Sequence, residues 1–354
     1  MPAGCPYINV LYIKINVFIV GEKSDIMKGM AEIEANMLVT ILISLLIGLA
    51  IIYAIMLYFG FSFYEIMIAA IIIFSFQWYI SPKLIEFSTK IRYIRKDEYP
   101  QLQEMIEELA KEFKIPKPRI AIAPVREPNA FVFGNTISRA TLVVHEGLLS
   151  VLDWAELKAV VAHELSHIRY RDFEVMTMTS FVPILFYVIA QDILWSNFFD
   201  DSKNNRSYMV LFGILAFVIH FISELIILPL SFSREASADI YSVSVTKKPN
   251  DLAKALYKIT YINFKTQNGS KAATSARAFY VVDYFNVDRD IVELKNHYEE
   301  VKALVPDMDI KSVVKVPARS RNGTIGMLNS LFSTHPQTYK RIIWISKGMQ
   351  PRQK

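Results

Sequence analysis

The residues best suited to chemistry form the pentad His163-Glu164-Leu165-Ser166-His167. Side chains four apart on a helix share one face, one turn apart. Two imidazoles so spaced can hold one metal ion, and the glutamate beside the first can reach a water on that ion. This is the set required for metal-assisted hydrolysis of a peptide bond near neutral pH. The chain has only six histidines, so two at this spacing around a glutamate weigh against chance. A catalytic zinc takes three protein ligands and keeps one position open. The third is best sought in residues 233–239, where Glu235 and Asp239 lie four apart. One carboxylate would bind the metal and the other would accept the free N–H of a ligand histidine. The plainer alternative is a solvated helix start with an Arg234–Glu235 surface pair.

The elements that must position these groups can be read around them. Asp153 and Glu156 form a capping box for a helix starting near Trp154, and Ala159, Val160, Val161, Ala162 and Leu165 give that helix a face to bury. Residues 99–114 predict an amphipathic helix, apolar at Leu102, Met105, Ile106, Leu109 and Phe113 and stopped by Pro116 and Pro118. Residues 120–123 and 141–145 predict strands on either side of a turn-rich stretch, 128–135. The fold class is α+β, mainly helical. His145 is expected on a strand near the cleft and His297 on a solvated helix.

Composition points to a membrane. The chain is 53% hydrophobic with mean hydropathy +0.27, yet 21% charged, so a substantial soluble part accompanies the apolar segments. Four stretches predict spans: 38–58, 66–80 ending at Ser81-Pro82, 175–195 and 208–230. His220 and Glu224, four apart in the last, are expected to pair with Gln191 or Asp192, the alternative being a polar substrate path. Lys83, Lys90, Arg92, Arg95 and Lys96 follow the second span, which puts that loop and the pentad in the cytoplasm. The net charge of +5 suits an anionic leaflet, and no aromatic-interleaved basic motif argues for nucleic acid. With Cys5 the sole cysteine, no intrachain disulfide can form. The expected division is an N-terminal segment of unknown role (1–36), a transmembrane hairpin (37–82), a cytoplasmic protease part (83–174), a second hairpin (175–231) and a second cytoplasmic part (232–354). Residues 267–326 are polar and charge-rich, with helical patches such as 290–304, and read as a cytoplasmic insertion of uncertain order.

The pentad extended by Ile168, with Arg171-Asp172 downstream, resembles the HtpX-like membrane zinc metalloproteases, relatives of the CAAX prenyl proteases in peptidase family M48. Three further matches are Asn129-Ala130-Phe131, Glu235-Ala236-Ser237-Ala238-Asp239, and Ser333-Thr334-His335-Pro336 followed by Arg341-Ile342. The resemblance implies a gluzincin-type fold, one Zn²⁺ per chain and a role in membrane protein quality control. It implies His163, His167 and Glu235 as zinc ligands, with Asp239 supporting His163. Asn129 and Ala130 would offer backbone groups to an extended substrate. His335 or Arg341 would stabilise an oxyanion or brace the site. Residues 1–36 and 267–326 depart from the pattern.

The expected function is a zinc-dependent endopeptidase of the cell membrane, with its protease domain cytoplasmic and protein substrates at the membrane surface. Glu164 is the expected general base. The alternatives are a prenyl-type processing protease and a non-catalytic, zinc-stabilised membrane scaffold.

Overall fold

The computed structural model describes residues 63–176, 206–266, 281–282, 286–308 and 335–347, with isolated positions at 39, 46, 53, 186, 187 and 190. Residues 1–36 and nearly all of the first and third expected spans lie outside these. The elements in chain order are α1 (Phe63–Thr89), β1 (Arg92–Tyr93), α2 (Pro100–Phe113), β2 (Arg119–Ala123), β3 (Ala130–Phe133), β4 (Thr141–His145), α3 (Glu146–Val151) and α4 (Trp154–Arg169). They continue with α5 (Arg206–Thr246), α6 (Pro249–Thr266), α7 (Val287–Asn296), α8 (Tyr298–Leu304) and α9 (Thr338–Lys347).

The expected amphipathic helix is α2. It buries Leu102, Met105, Ile106, Leu109 and Phe113, as their spacing requires. Pro100 opens it, where a missing N–H costs nothing, and Lys114 closes it in the left-handed region at φ 54°. The strands form one sheet in the order β1-β2-β4-β3. β2 and β4 run parallel, and β1 and β3 pair antiparallel at the two edges. The stretch expected to be turn-rich therefore carries an edge strand. Phe131, Val132 and Phe133 favour extended backbone and pack on the pleated surface, which outweighs the local turn residues.

Period-two alternation gives the sheet two buried faces. Ile120, Ile122, Ala130, Leu142 and Val144 join the main core with α2, α4, α5 and α6. Ala121, Ala123, Phe131, Phe133 and Val143 form a second cluster with Ile85 and Ile91 near the end of α1. The capping box of α4 is formed. Asp153 Oδ1 accepts from Ala155 N and Glu156 N at 2.9 Å, and Glu156 Oε2 accepts from Asp153 N at 3.1 Å. Lys258 Nζ of α6 also donates to Glu156, at 2.6 Å. α4 lies against α5, where Ser242 Oγ donates to Ala159 O across 2.8 Å of buried interface.

Three expectations change. α1 does not stop at Pro82 but continues to Thr89; proline removes one helical hydrogen bond without dictating an end. The described part of the 267–326 stretch is packed: Ile291, Leu294, Val301 and Val305 share a core with Ala253, Tyr257, Ile342 and Ile343. His297 is not within a helix but joins α7 to α8, its ring stacked 4.0 Å from that of Tyr339. Among the described residues no helix is long and apolar enough to cross a membrane. α1 exposes Tyr64, Ile68, Ile72 and Phe76, and α5 exposes Leu211, Ile214, Leu215 and Phe221. Near them, the ring of His220 lies 5.3 Å from that of Tyr187. Its expected partners, Gln191 and Asp192, lie outside the described residues, as does the side chain of Glu224.

Candidate metal centre

α4 carries His163, Glu164 and His167 on its buried side, 1%, 4% and 7% exposed. The two rings are edge-to-face, with their centroids 4.8 Å apart. Their Nε2 atoms converge to 3.2 Å. From α5, Glu235 brings Oε2 to 3.5 Å from His163 Nε2 and Oε1 to 3.5 Å from His167 Nε2. Tetrahedral zinc with bonds of about 2.0–2.1 Å separates its ligand atoms by about 3.3 Å. The two Nε2 atoms and the two oxygens of the Glu235 carboxylate thus lie at spacings close to those between the corners of such a tetrahedron.

The outer ring nitrogens are held away from that point. His163 Nδ1 lies 2.9 Å from Asp239 Oδ1, and His167 Nδ1 hydrogen-bonds Asp172 Oδ2 at 2.5 Å. With His167 Nδ1 bonded to Asp172 and His163 Nδ1 beside Asp239, the two Nε2 atoms are left facing each other across one point, which suits a cation. Glu235 Oε2 is buried and has no hydrogen-bond partner among the described residues. Charge gives the same answer. Glu164, Asp172, Glu235 and Asp239 are buried with two guanidiniums, Arg234 and Arg341. Four carboxylates face two guanidiniums, an excess of acidic groups that favours a cation there. The residues fit a zinc ion.

The pull of this pocket on positive charge shows at His163. Burial alone would lower its pKa, but Asp239 and Glu235 outweigh burial and raise it to about 10. Burial pushes the Glu164 carboxyl up to about 7, against the attraction of His167 and His163. Burial opposes ionisation of Glu235 as well, yet the surrounding histidines, His335 first, hold it well below the usual range. His163, Glu164 and His167 each offer a ligand atom within 4.8 Å of the others. Glu235 rather than Glu164 completes the triangle, because its two oxygens approach both Nε2 atoms.

Arg341, fully buried on α9, grips Asp239 with two bonds, Nε to Oδ2 at 2.9 Å and Nη2 to Oδ1 at 2.7 Å. Its Nη1 donates to Val281 O at 2.5 Å and lies 3.6 Å from Glu235 Oε2. Trp344 Nε1 donates to Asp239 at 3.3 Å. His335 Nε2 lies 3.6 Å from Glu235 Oε1. Asn129 is 1% exposed and turned to internal bonds: its carbonyl accepts from His145 N at 3.0 Å and its Oδ1 from Val281 N at 2.9 Å. Because residue 129 bonds across to 145, strand alternation aims the backbone N–H and C=O of Ala130 and Val132 at the outer edge of β3. His145 closes β4, and its Nδ1 donates to Glu127 O at 2.9 Å.

Two members of the site escaped sequence reasoning. Arg234 is not in a surface pair with Glu235. Its side chain is 12% exposed, with Nε 3.2 Å from Asp172 Oδ1. Asp172 figured only within a motif, and no helical spacing links it to His167.

The sequence model of peptidase family M48 matches residues 96–348. The chain is 42% identical to "Protease HtpX homolog" of Methanothermobacter thermautotrophicus over 195 residues, 54% of this chain and 72% of that one. It is 31% identical to "Protease HtpX homolog 2" of Methanosarcina mazei over 276 residues, 77% of this chain and 81% of that one. Among solved structures it is similar to that of S. mikatae Ste24p, with 20% identity and a TM-score of 0.42, covering 67% of this chain and 62% of that chain. The family match spans both halves of the candidate metal centre, α4 and α5, together with α9, and the chain belongs to peptidase family M48 as an HtpX-like metalloprotease.

Proposed function

We propose that this chain is a zinc endopeptidase of the cell membrane that cleaves misfolded or membrane proteins at the cytoplasmic face. The observation that carries the proposal is the triangle of His163 Nε2, His167 Nε2 and the Glu235 carboxylate, with edges of 3.2–3.5 Å and Glu164 beside it. Zinc held there would supply Lewis-acid activation of a water and of the scissile carbonyl. Glu164 accepts the proton of the attacking water and passes it to the leaving amine; a pKa of about 7 lets it do both near neutral pH. Asp239 and Asp172 hold the two imidazoles in the Nδ1–H form. Arg341 directs three donors to Asp239 and Val281, which favours the bracing role. His335 is the proposed oxyanion donor. An extended substrate pairs with Ala130 and Val132 on the edge of β3, and Asn129 holds that edge from inside.

The membrane arrangement is part of the same proposal: a gluzincin-type protease domain with four spans, hairpins at 37–82 and 175–231, and cytoplasmic parts at 83–174 and 232–354. The apolar surfaces of α1 and α5 support it. α5 has 41 residues, about 60 Å of helix, and carries Glu235 and Asp239 beyond its apolar first half. His167 lies eight residues before the third span and Glu235 five after the fourth. Helical rise along α5 puts Glu235 roughly 8 Å from the end of the fourth span, while the chain after His167 turns at Arg171 before the third. Cleavage would then occur near the membrane surface, on loops, tails and unfolded chains.

The test is digestion of an unfolded model protein by the purified chain, with and without chelator. Cleavage abolished by chelator and restored by zinc is expected. Chelator-resistant cleavage, or none by a zinc-loaded chain, would overturn the proposal.

A further inference from the structure

The two histidines are supported differently. Asp239 lies on the same helix as Glu235, while Asp172 comes from the turn that ends α4. That turn depends on Arg171, a non-glycine residue at φ 56°. A left-handed residue costs energy and persists where the surroundings demand it. Here Arg171 N bonds Ile168 O at 3.1 Å, and Glu174 N returns to Arg171 O at 2.9 Å. The reversal puts Asp172, 2% exposed, beneath His167. Its second oxygen faces Arg234 Nε at 3.2 Å. Arg234 is the residue before Glu235, and consecutive side chains on a helix diverge by about 100°. One helical turn of α5 is therefore fixed at two points, by Arg234 against Asp172 and by Glu235 against the imidazoles.

The geometry points to Asp172 and Arg234 as paired positioning residues: together they orient His167 and set the rotation of α5 that delivers Glu235. They act through the ligands and touch no substrate. The inference rests on the reading that His163, His167 and Glu235 hold zinc. It adds that the histidine helix and the third-ligand helix are locked to each other by this ion pair before metal arrives.

The test measures zinc affinity by chelator competition on the purified full-length chain, and the visible absorption of its cobalt-substituted form. The variants are Asp172→Asn, Arg234→Gln, Arg234→Lys and the double variant Asp172→Asn/Arg234→Gln, with His163→Ala as control. Asp172→Asn and Arg234→Gln are each expected to weaken zinc binding by about 10–100-fold. Each should displace the cobalt bands, which a remote structural change would leave in place. The double variant should bind no more weakly than the poorer single one, because the two residues act as a unit. Arg234→Lys keeps the charge and loses the planar fork, so it should recover part of the affinity. Wild-type affinity and cobalt bands in Arg234→Gln would overturn the inference, as would single losses that multiply in the double variant. If Arg234→Gln does not fold, wild-type affinity and bands in Arg234→Lys would do the same. Zinc retained by His163→Ala would instead remove the ligand assignment itself, and this inference with it. Zinc lost by His163→Ala but kept by the Asp172 and Arg234 variants would remove only the coupling.

Discussion

Substitution of Glu164 by glutamine should do two opposite things. The amide fills the same space but cannot ionise or take a proton. Burial holds the native carboxyl at about 7, against 4.5 for the free group, a gap of about 2.5 units. That gap corresponds to about 3 kcal/mol. The sign follows from which state binds more protons. Between pH 4.5 and 7 the folded chain keeps the Glu164 proton while the unfolded chain releases it, so stability falls as pH rises. Above pH 7 the wild type bears the whole cost of an ionised buried carboxylate, and glutamine bears none. Glu164→Gln should therefore be more stable by about 3 kcal/mol at pH 8, with the gain shrinking towards zero near pH 4.5. Unfolding of wild type and variant across this range, after chelator treatment, isolates the carboxylate against protein groups alone. Hydrolysis of an unfolded protein by the zinc-loaded variant should fall by about 10²–10⁴-fold with zinc content unchanged. Wild-type turnover would show that Glu164 is not the base. A stability difference independent of pH would show that its carboxylate is not held against ionisation.

Arg341→Met leaves Asp239 buried without its two-pronged partner, and loss of one member of a buried pair costs about 3–5 kcal/mol; thermal unfolding should register it, and a change under about 1 kcal/mol would contradict the bracing role. A cysteine at Asn204 should react with an impermeant reagent on intact cells and one at Asn268 should not; the opposite labelling would invert the proposed topology. His145 is depressed below 6.5 by burial, with Glu127 partly offsetting this, so the folded chain resists a proton that the unfolded chain accepts. Its contribution to stability should be complete above pH 6.5 and fall as acid carries the pH towards the depressed value, and His145→Asn should flatten that part of the stability–pH curve.

Much of the site was legible in the chain because its information is local. The capping box at Asp153 and Glu156 starts α4, and a 3.6-residue repeat then puts His163 and His167 on one buried face. The same repeat pairs Glu235 with Asp239. It could not say which of those two carboxylates would meet a metal; the proposal of Glu235 draws on family resemblance and on its approach to both Nε2 atoms. Strands β2 and β4 followed from apolar, β-branched runs, whereas β3 was hidden among turn residues because its stability comes from pairing with β4.

Tertiary packing alone decided the supports. Asp172 is five residues past His167, off its helical face, and reaches the ring only because Arg171 adopts a left-handed turn. Arg341 lies 102 residues from Asp239, and Val281 joins Asn129, 152 residues before it, to Arg341, 60 residues after it. No periodicity links such positions. The sequence determined which side chains lie together on each element, because helix and strand geometry repeats at fixed intervals. Only the fold determined which elements meet, because burying a charged group requires a partner that can be anywhere in the chain.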